Sequence, residues 1–147
     1  PDYDADDVLV VAETEQLRAL ADDVRLEIVA LLRERAASTT ELAEQVGLAK
    51  GTIAHHLKVL ESAGLVKVVR TRRVRALTES LYGRVARLFV LKSADDKPQA
   101  RVRLSAADAE SFRRRVERLR RDFEAAASAQ GEEYELVAAL YPSKGMR

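Results

Sequence analysis

Residues 38–77 read STTELAEQVGLAKGTIAHHLKVLESAGLVKVVRTRRVRAL, and the order of elements in this stretch decides the fold. Ser38 with Glu41 three residues later is the pattern in which a hydroxyl and a carboxylate satisfy each other's free backbone N–H groups, so a helix is predicted over Thr39–Val46. Gly47 ends it, because a residue without a Cβ takes the left-handed conformation at no steric cost, and Leu48 follows as the apolar plug of a tight turn. A second helix is predicted from about Lys50 to Ser62. Its apolar residues Ile53, Leu57 and Leu60 fall at i, i+4 and i+7, which leaves Lys50, Gly51, His55 and Lys58 on the outward face.

Ala63-Gly64-Leu65 closes that helix and releases an extended, β-branched segment over residues 66–70. A turn is predicted over 71–73 and a returning strand over 74–77. The hairpin tip then holds Arg70, Arg72, Arg73 and Arg75 within six residues. Like charges so close repel one another, and a polyanion is the reason to hold them there, since each arginine on a phosphate releases condensed counterions. Helix, turn, helix and basic hairpin together describe a winged helix-turn-helix.

The charge distribution agrees. Residues 1–49 carry a net −8, residues 50–75 a net +6 and residues 76–147 a net +3, so a chain with an overall charge of only +1 concentrates its positive charge on the second helix and the hairpin. Double-stranded DNA is the predicted partner.

The stretch 20–78, with LADDVRLEI leading in at 20–28, Glu41-Leu42-Ala43 in the first helix and HHLKVLESAGLV at 55–66, resembles the arsenic-repressor (ArsR) family of bacterial transcription regulators. The resemblance implies a homodimeric, cytoplasmic repressor acting on an operator. It places Lys50, Gly51, Thr52, His55 and Lys58 near bases or phosphates in the major groove and the wing arginines on the backbone or the adjacent minor groove. Thr39 and Thr40, at the start of the first helix, and His56 complete the candidate DNA-contacting set. His56 lies on the flank of the buried face, so a satisfied, partly buried imidazole stands beside DNA contact as its role. Two positions depart from the family pattern. Ala49 and Ala54 stand where serines are common, which removes an N-cap and one potential contact.

Metal sensing, frequent in such regulators, finds no ligands in this sequence. There is no cysteine, the only histidines are the adjacent His55 and His56, whose side chains diverge by roughly 100° on a helix, and no cofactor is implied. Asp95-Asp96, beside Lys97-Pro98, reads as part of a solvated linker over 93–99, with weak calcium or magnesium binding as the alternative. An enzyme is not expected either, for want of a thiol, a glycine-rich phosphate loop or a histidine away from the DNA-reading helix. No apolar run is long enough to span a bilayer, and the Asp-rich start has the wrong charge for a secretory leader. No motif identifies a small-molecule effector. A winged helix serving as a protein-interaction module is the alternative function.

The fold class is therefore α+β, mainly α: a winged-helix domain over 1–92 and a C-terminal dimerisation or effector unit over 93–147. Upstream, helices are predicted over Thr14–Leu20 and 24–35, capped by Asp22 or Asp23, while Val8 to Val11 fits either a strand or the start of a helix. Residues 82–91 read as a short helix running into a strand. The C-terminal unit reads as strand, helix, strand, over 100–104, 105–129 and 134–141. Within its helix Ala109, Phe112, Val116, Leu119, Phe123 and Ala126 are spaced 3, 4, 3, 4, 3, an a/d seam. Such a seam either pairs two subunits or packs on the unit's own strands; because paired half-sites are read by a dimer, Phe112, Val116, Leu119 and Phe123 are the candidate dimerisation residues, with the N-terminal helices as the alternative interface.

Overall fold

The computed structural model describes residues 1–92, 100–134 and 136–142. Contacts divide the chain into two units, residues 1–96 and 97–147; the expected linker with Asp95-Asp96 lies outside the described residues.

The first unit runs β1 (Asp6–Val11), α1 (Thr14–Leu20), α2 (Asp23–Glu34), β2 (Ala37–Ser38), α3 (Thr39–Val46), α4 (Lys50–Ser62), β3 (Val66–Val74), β4 (Leu77–Arg84) and β5 (Ala86–Leu91). Local chemistry explains where the helices begin and end. The Asp22 carboxylate caps α2 by accepting from the Arg25 N–H at 3.0 Å. Ser38 and Glu41 form the reciprocal capping box of α3, at 3.2 and 2.8 Å. Gly47 then turns the chain at φ +77°. Ile28 and Leu32 of α2, Leu42 of α3 and Ile53, Leu57 and Leu60 of α4 are fully buried, and Val11 and Val66 from the strands, with Leu65 just before β3, close the core. The 3.6-residue period of each helix thus delivers one apolar stripe to a common centre.

Two small sheets flank this core. β2, β4 and β3 pair antiparallel in that order, and β1 pairs parallel with β5. The hairpin is longer than its sequence suggested. β3 continues to Val74, which pairs with Leu77, so the turn is Arg75-Ala76 and not residues 71–73. Arg75 takes a left-handed φ of +57° to make it. Residues 82–91 contain no helix. Tyr82 faces Ala37 of β2 and Val68 of β3, and after Val85 the chain becomes β5 beside β1, so non-local pairing overrides a weak helical pattern.

Tyr3 fastens the N-terminal arm to this frame. Its hydroxyl donates to the Leu32 carbonyl and accepts from the Arg84 N–H at 2.9 Å. The ring occupies space that a Cβ on residue 83 would fill, coming within 2.7 Å, so Gly83 is required by close approach. Burial raises the Tyr3 pKa. The Arg84 side chain is itself buried, lies 4.2 Å over the Phe89 ring and leaves its Nε without a partner; burial lowers its pKa.

In the second unit the described residues contain one element, α5 (Ala106–Ala125), capped by Ser105. It stops four residues short of the expected end. The strands expected over 100–104 and 134–141 are not formed among the described residues; Val102, Tyr134 and Val137 are largely exposed. Alternation at 100–104 and apolarity at 134–141 define a surface but supply no ladder partner, and the described residues of this unit form none.

Candidate nucleic-acid interface

α4 turns one face inward and leaves a polar face in solvent. Lys50, Gly51, Thr52, His55 and Lys58 are all exposed, while Ile53 and Leu57 between them are buried. The helix starts without a side-chain cap and without an acidic residue in its first turn, and a Cβ at Gly51 would meet nothing within 4 Å. The outward N-terminal surface of α4 is therefore open and positively biased.

His55 and His56 diverge, with ring centroids 5.7 Å apart and planes at 60°. His56 is partly buried, and its Nδ1 lies 3.2 Å from the Arg25 guanidinium. That contact occupies the Nδ1 edge of the ring and turns the Nε2 edge away from Arg25. Arg25 also donates from Nε to the Ala19 carbonyl at 2.5 Å and sits 3.8 Å from Asp22. One arginine thereby ties the α1–α2 junction to the flank of α4. Sequence reasoning missed this role, since nothing local to either residue marks a contact 31 positions apart.

The four wing arginines are not equivalent. Arg70 donates to the Asp2 carboxylate at 2.9 Å and to the Asp2 carbonyl at 3.0 Å. Arg72 faces Glu79 across the hairpin at 2.9 Å and reaches Glu41 of α3 at 3.4 Å. Glu41 is further held by Arg35 at 3.2 Å. Two of the four arginines expected to face a polyanion thus have carboxylates of the chain itself beside them. Arg73 and Arg75 are exposed and have no partner among the described residues.

Electrostatics follow the geometry. The Ser38 hydroxyl and then Arg72 hold Glu79 below the ordinary carboxylate range. Burial pushes Glu41 up, but the Ser38 N–H, Arg72 and Arg35 outweigh it and its pKa is lowered. Arg72 is raised, first by its bond to Glu79. Thr39 and Thr40 are half-exposed in the first turn of α3, directly after the capping box that Arg72 approaches.

On α5 the predicted seam is solvent-facing: Phe112 is 41%, Leu119 50% and Phe123 40% exposed, with Val116 half-buried. Ion pairs run along its flanks, Arg113 and Arg114 with Glu110, and Arg120 with Glu117 and Glu124. Among the described residues no group of three or more His, Asp or Glu is placed to hold a metal ion. A cleft of about 230 Å³ lined by Leu31, Arg35, Glu41, Leu42 and Gln45 falls below the usual size of a small-molecule site, ~300 Å³ upward. No helix of the described residues is long and apolar enough to cross a membrane.

Residues 20–69, from the end of α1 through α4 into β3, match the helix-turn-helix domain family. This is a winged helix-turn-helix. Over 66 residues the chain is 41% identical to the HTH-type transcriptional regulator NmtR of Mycobacterium tuberculosis, covering 45% of this chain and 53% of that protein. Over 68 residues it is 41% identical to KmtR, another HTH-type transcriptional regulator of the same organism, covering 46% and 48%. The chain thus spans about half the length of the curated relatives it matches. Among solved structures, NolR from Sinorhizobium fredii is 32% identical over 49% of this chain and 67% of its own, with a TM-score of 0.42. HlyU from Vibrio cholerae is 31% identical over 48% and 71%, with a TM-score of 0.40.

Proposed function

We propose that this chain is a sequence-specific, double-stranded-DNA-binding transcriptional regulator of the arsenic-repressor type, acting as a homodimeric repressor in the cytoplasm without a metal or other cofactor. The observation that carries the reading is the exposed row Lys50, Gly51, Thr52, His55 and Lys58 on α4, joined on the wing by Arg73 and Arg75, in a segment of net charge +6. In the docking mode of a winged helix, α4 enters the major groove and the wing lies on phosphates. The named relatives are transcriptional regulators, which supports the same class and speaks against an enzyme. His56, engaged by Arg25, takes a positioning role and offers only Nε2 outward. Absence of cysteine and capture of His56 by Arg25 support the metal-independent reading.

The test is titration of the full chain into labelled random duplex and into duplex selected from a random pool, at several salt concentrations. A steep salt slope on both, with tighter binding to the selected sequence, is expected. Salt-independent or absent binding would leave the protein-interaction module as the better reading.

For the dimer, the stripe of exposed Phe112, Leu119 and Phe123 with half-buried Val116 is the proposed contact. Leu119→Asp places an unpaired carboxylate in each half of such an interface, at a cost of several kcal/mol per ion. Sedimentation should then report a monomer that still binds random duplex weakly and has lost its preference for a palindrome. A stable Leu119→Asp dimer would move the interface elsewhere.

A further inference from the structure

Residues 1–7 carry four aspartates and no basic residue, and Asp2, Tyr3 and Asp4 among them lie against residues 67–70 of the wing. Asp2 uses all its oxygens there. Oδ1 accepts from the Ala36 N–H at 2.8 Å, Oδ2 from Arg70 Nη2 at 2.9 Å and the carbonyl from Arg70 Nη1 at 3.0 Å. Two acceptors aimed at one guanidinium imitate the two-point contact that a phosphate makes. The arm is seated, not draped: Tyr3 is fixed by its two hydrogen bonds and by the space that Gly83 leaves for the ring. Beyond it, Asp4 and Lys67 line the same groove of about 380 Å³ as Asp2 and Arg70, acid on one side and base on the other. The Ala36 N–H and then Arg70 keep the Asp2 carboxyl below its ordinary range, so the arm is charged at neutral pH.

We propose that this acidic arm is an intramolecular stand-in for a DNA phosphate, docked on Arg70 and displaced by the duplex when the wing engages. The inference rests on the DNA-binding reading above. Its consequence is that Arg70 adds little to the measured salt dependence, because one anion replaces another and no counterion is released on its account.

Asp2→Asn tests it, since the amide oxygen still accepts from Ala36 while the charge is gone. The variant should bind random duplex several-fold more tightly at low salt, with a slope of log K against log salt steeper by about 0.9. Arg70→Ala should barely alter the slope in the parent chain and should remove that increment in the Asp2→Asn background. Amide exchange at Ala36 should accelerate when duplex saturates the parent chain, because its acceptor leaves. An unchanged slope for Asp2→Asn, or an equal effect of Arg70→Ala in both backgrounds, overturns the proposal. If the parent chain itself fails to bind duplex with any salt dependence, the DNA-binding reading falls instead, and the two failures are told apart by that one titration.

Discussion

The sharpest consequence of the wing geometry is that its arginines divide into two kinds. Arg73 and Arg75 have no partner among the described residues, whereas Arg72 is held between Glu79 and Glu41. Replacing Arg73 and Arg75 together by Ala removes two cations free to meet phosphates. Each phosphate contact contributes about 0.9 to the slope of log K against log salt, so the pair accounts for about 1.8. Between about 50 and about 200 mM salt the parent's affinity should therefore fall roughly tenfold more than that of the double variant. Specific and random duplexes should weaken alike, because phosphate contacts carry no sequence information. Arg72→Ala should behave differently. It breaks two ion pairs but leaves Glu41 with Arg35 and the Ser38 N–H, and Glu79 with the Ser38 hydroxyl, so it shifts melting slightly and leaves the slope nearly unchanged. Fluorescence anisotropy over five salt concentrations resolves the two cases. An Arg72→Ala slope change as large as that of the double variant would refute the division, and an unchanged slope in the double variant would take the wing off the DNA.

Three further outcomes follow from particular contacts. Gly83→Ala should cost about 1–3 kcal/mol of stability by forcing its Cβ against the Tyr3 ring, and the cost should largely vanish in a Tyr3→Ala background, read by denaturant melts of all four proteins. Asp2, Glu41 and Glu79 all have folded pKa values below the ordinary 3.8 of Asp and 4.5 of Glu; a depressed carboxylate contributes stability above its unfolded pKa and loses it as pH falls through the folded value. The melting temperature should thus drop in acid below about pH 4, less steeply in Glu41→Gln. Zinc, cadmium, nickel or arsenite at low micromolar concentration should leave duplex affinity unaltered, and metal-dependent release in a tag-free preparation would overturn the metal-independent reading.

The helix-turn-helix was legible because its signals are local. Ser38 and Glu41 sit three residues apart, Gly47 has the positive φ its position demands, and the apolar period of α4 names its buried face directly. The wing was legible as a hairpin and misread in its turn. The end of the β-branched run at 70 put the reversal too early, and the clustered arginines find Glu79 opposite Arg72, a partner that only the correct register reveals. Arg70 is further out of reach of any sequence window, since its carboxylate comes from Asp2, 68 residues away. A still longer separation, 80 residues from Asp6 to Ala86, hides β1 and β5, whose parallel pairing joins the two ends of the unit. In the second unit the alternation at 100–104 was a true pattern without a partner. A face can be read from a sequence; the strand that would lie beside it cannot.

Helix α4 breaks the local rules that its neighbours keep. α2, α3 and α5 are capped by Asp22, Ser38 and Ser105, and α1, though uncapped, has Glu15 in its first turn. α4 has neither a cap nor an acidic residue there, and it opens on Lys50. A missing cap costs a helix about 1 kcal/mol, and a cation at the positive end of the dipole adds to the deficit. Helix packing offsets it, since Ile53, Leu57 and Leu60 anchor the rest of α4 in the core. On the DNA-binding reading the deficit has a use. Free N–H groups, an open Gly51 and a lysine at one helix end suit a phosphate better than a satisfied cap would, because a capping side chain would already fill that place. The same logic runs through the wing, where the chain neutralises Arg72 internally, lends Asp2 to Arg70 and leaves Arg73 and Arg75 bare. Apart from the uncapped α1 and the unpartnered Nε of buried Arg84, local dissatisfaction gathers on the elements that would meet the duplex, and the capping and packing elsewhere are what allow it to persist.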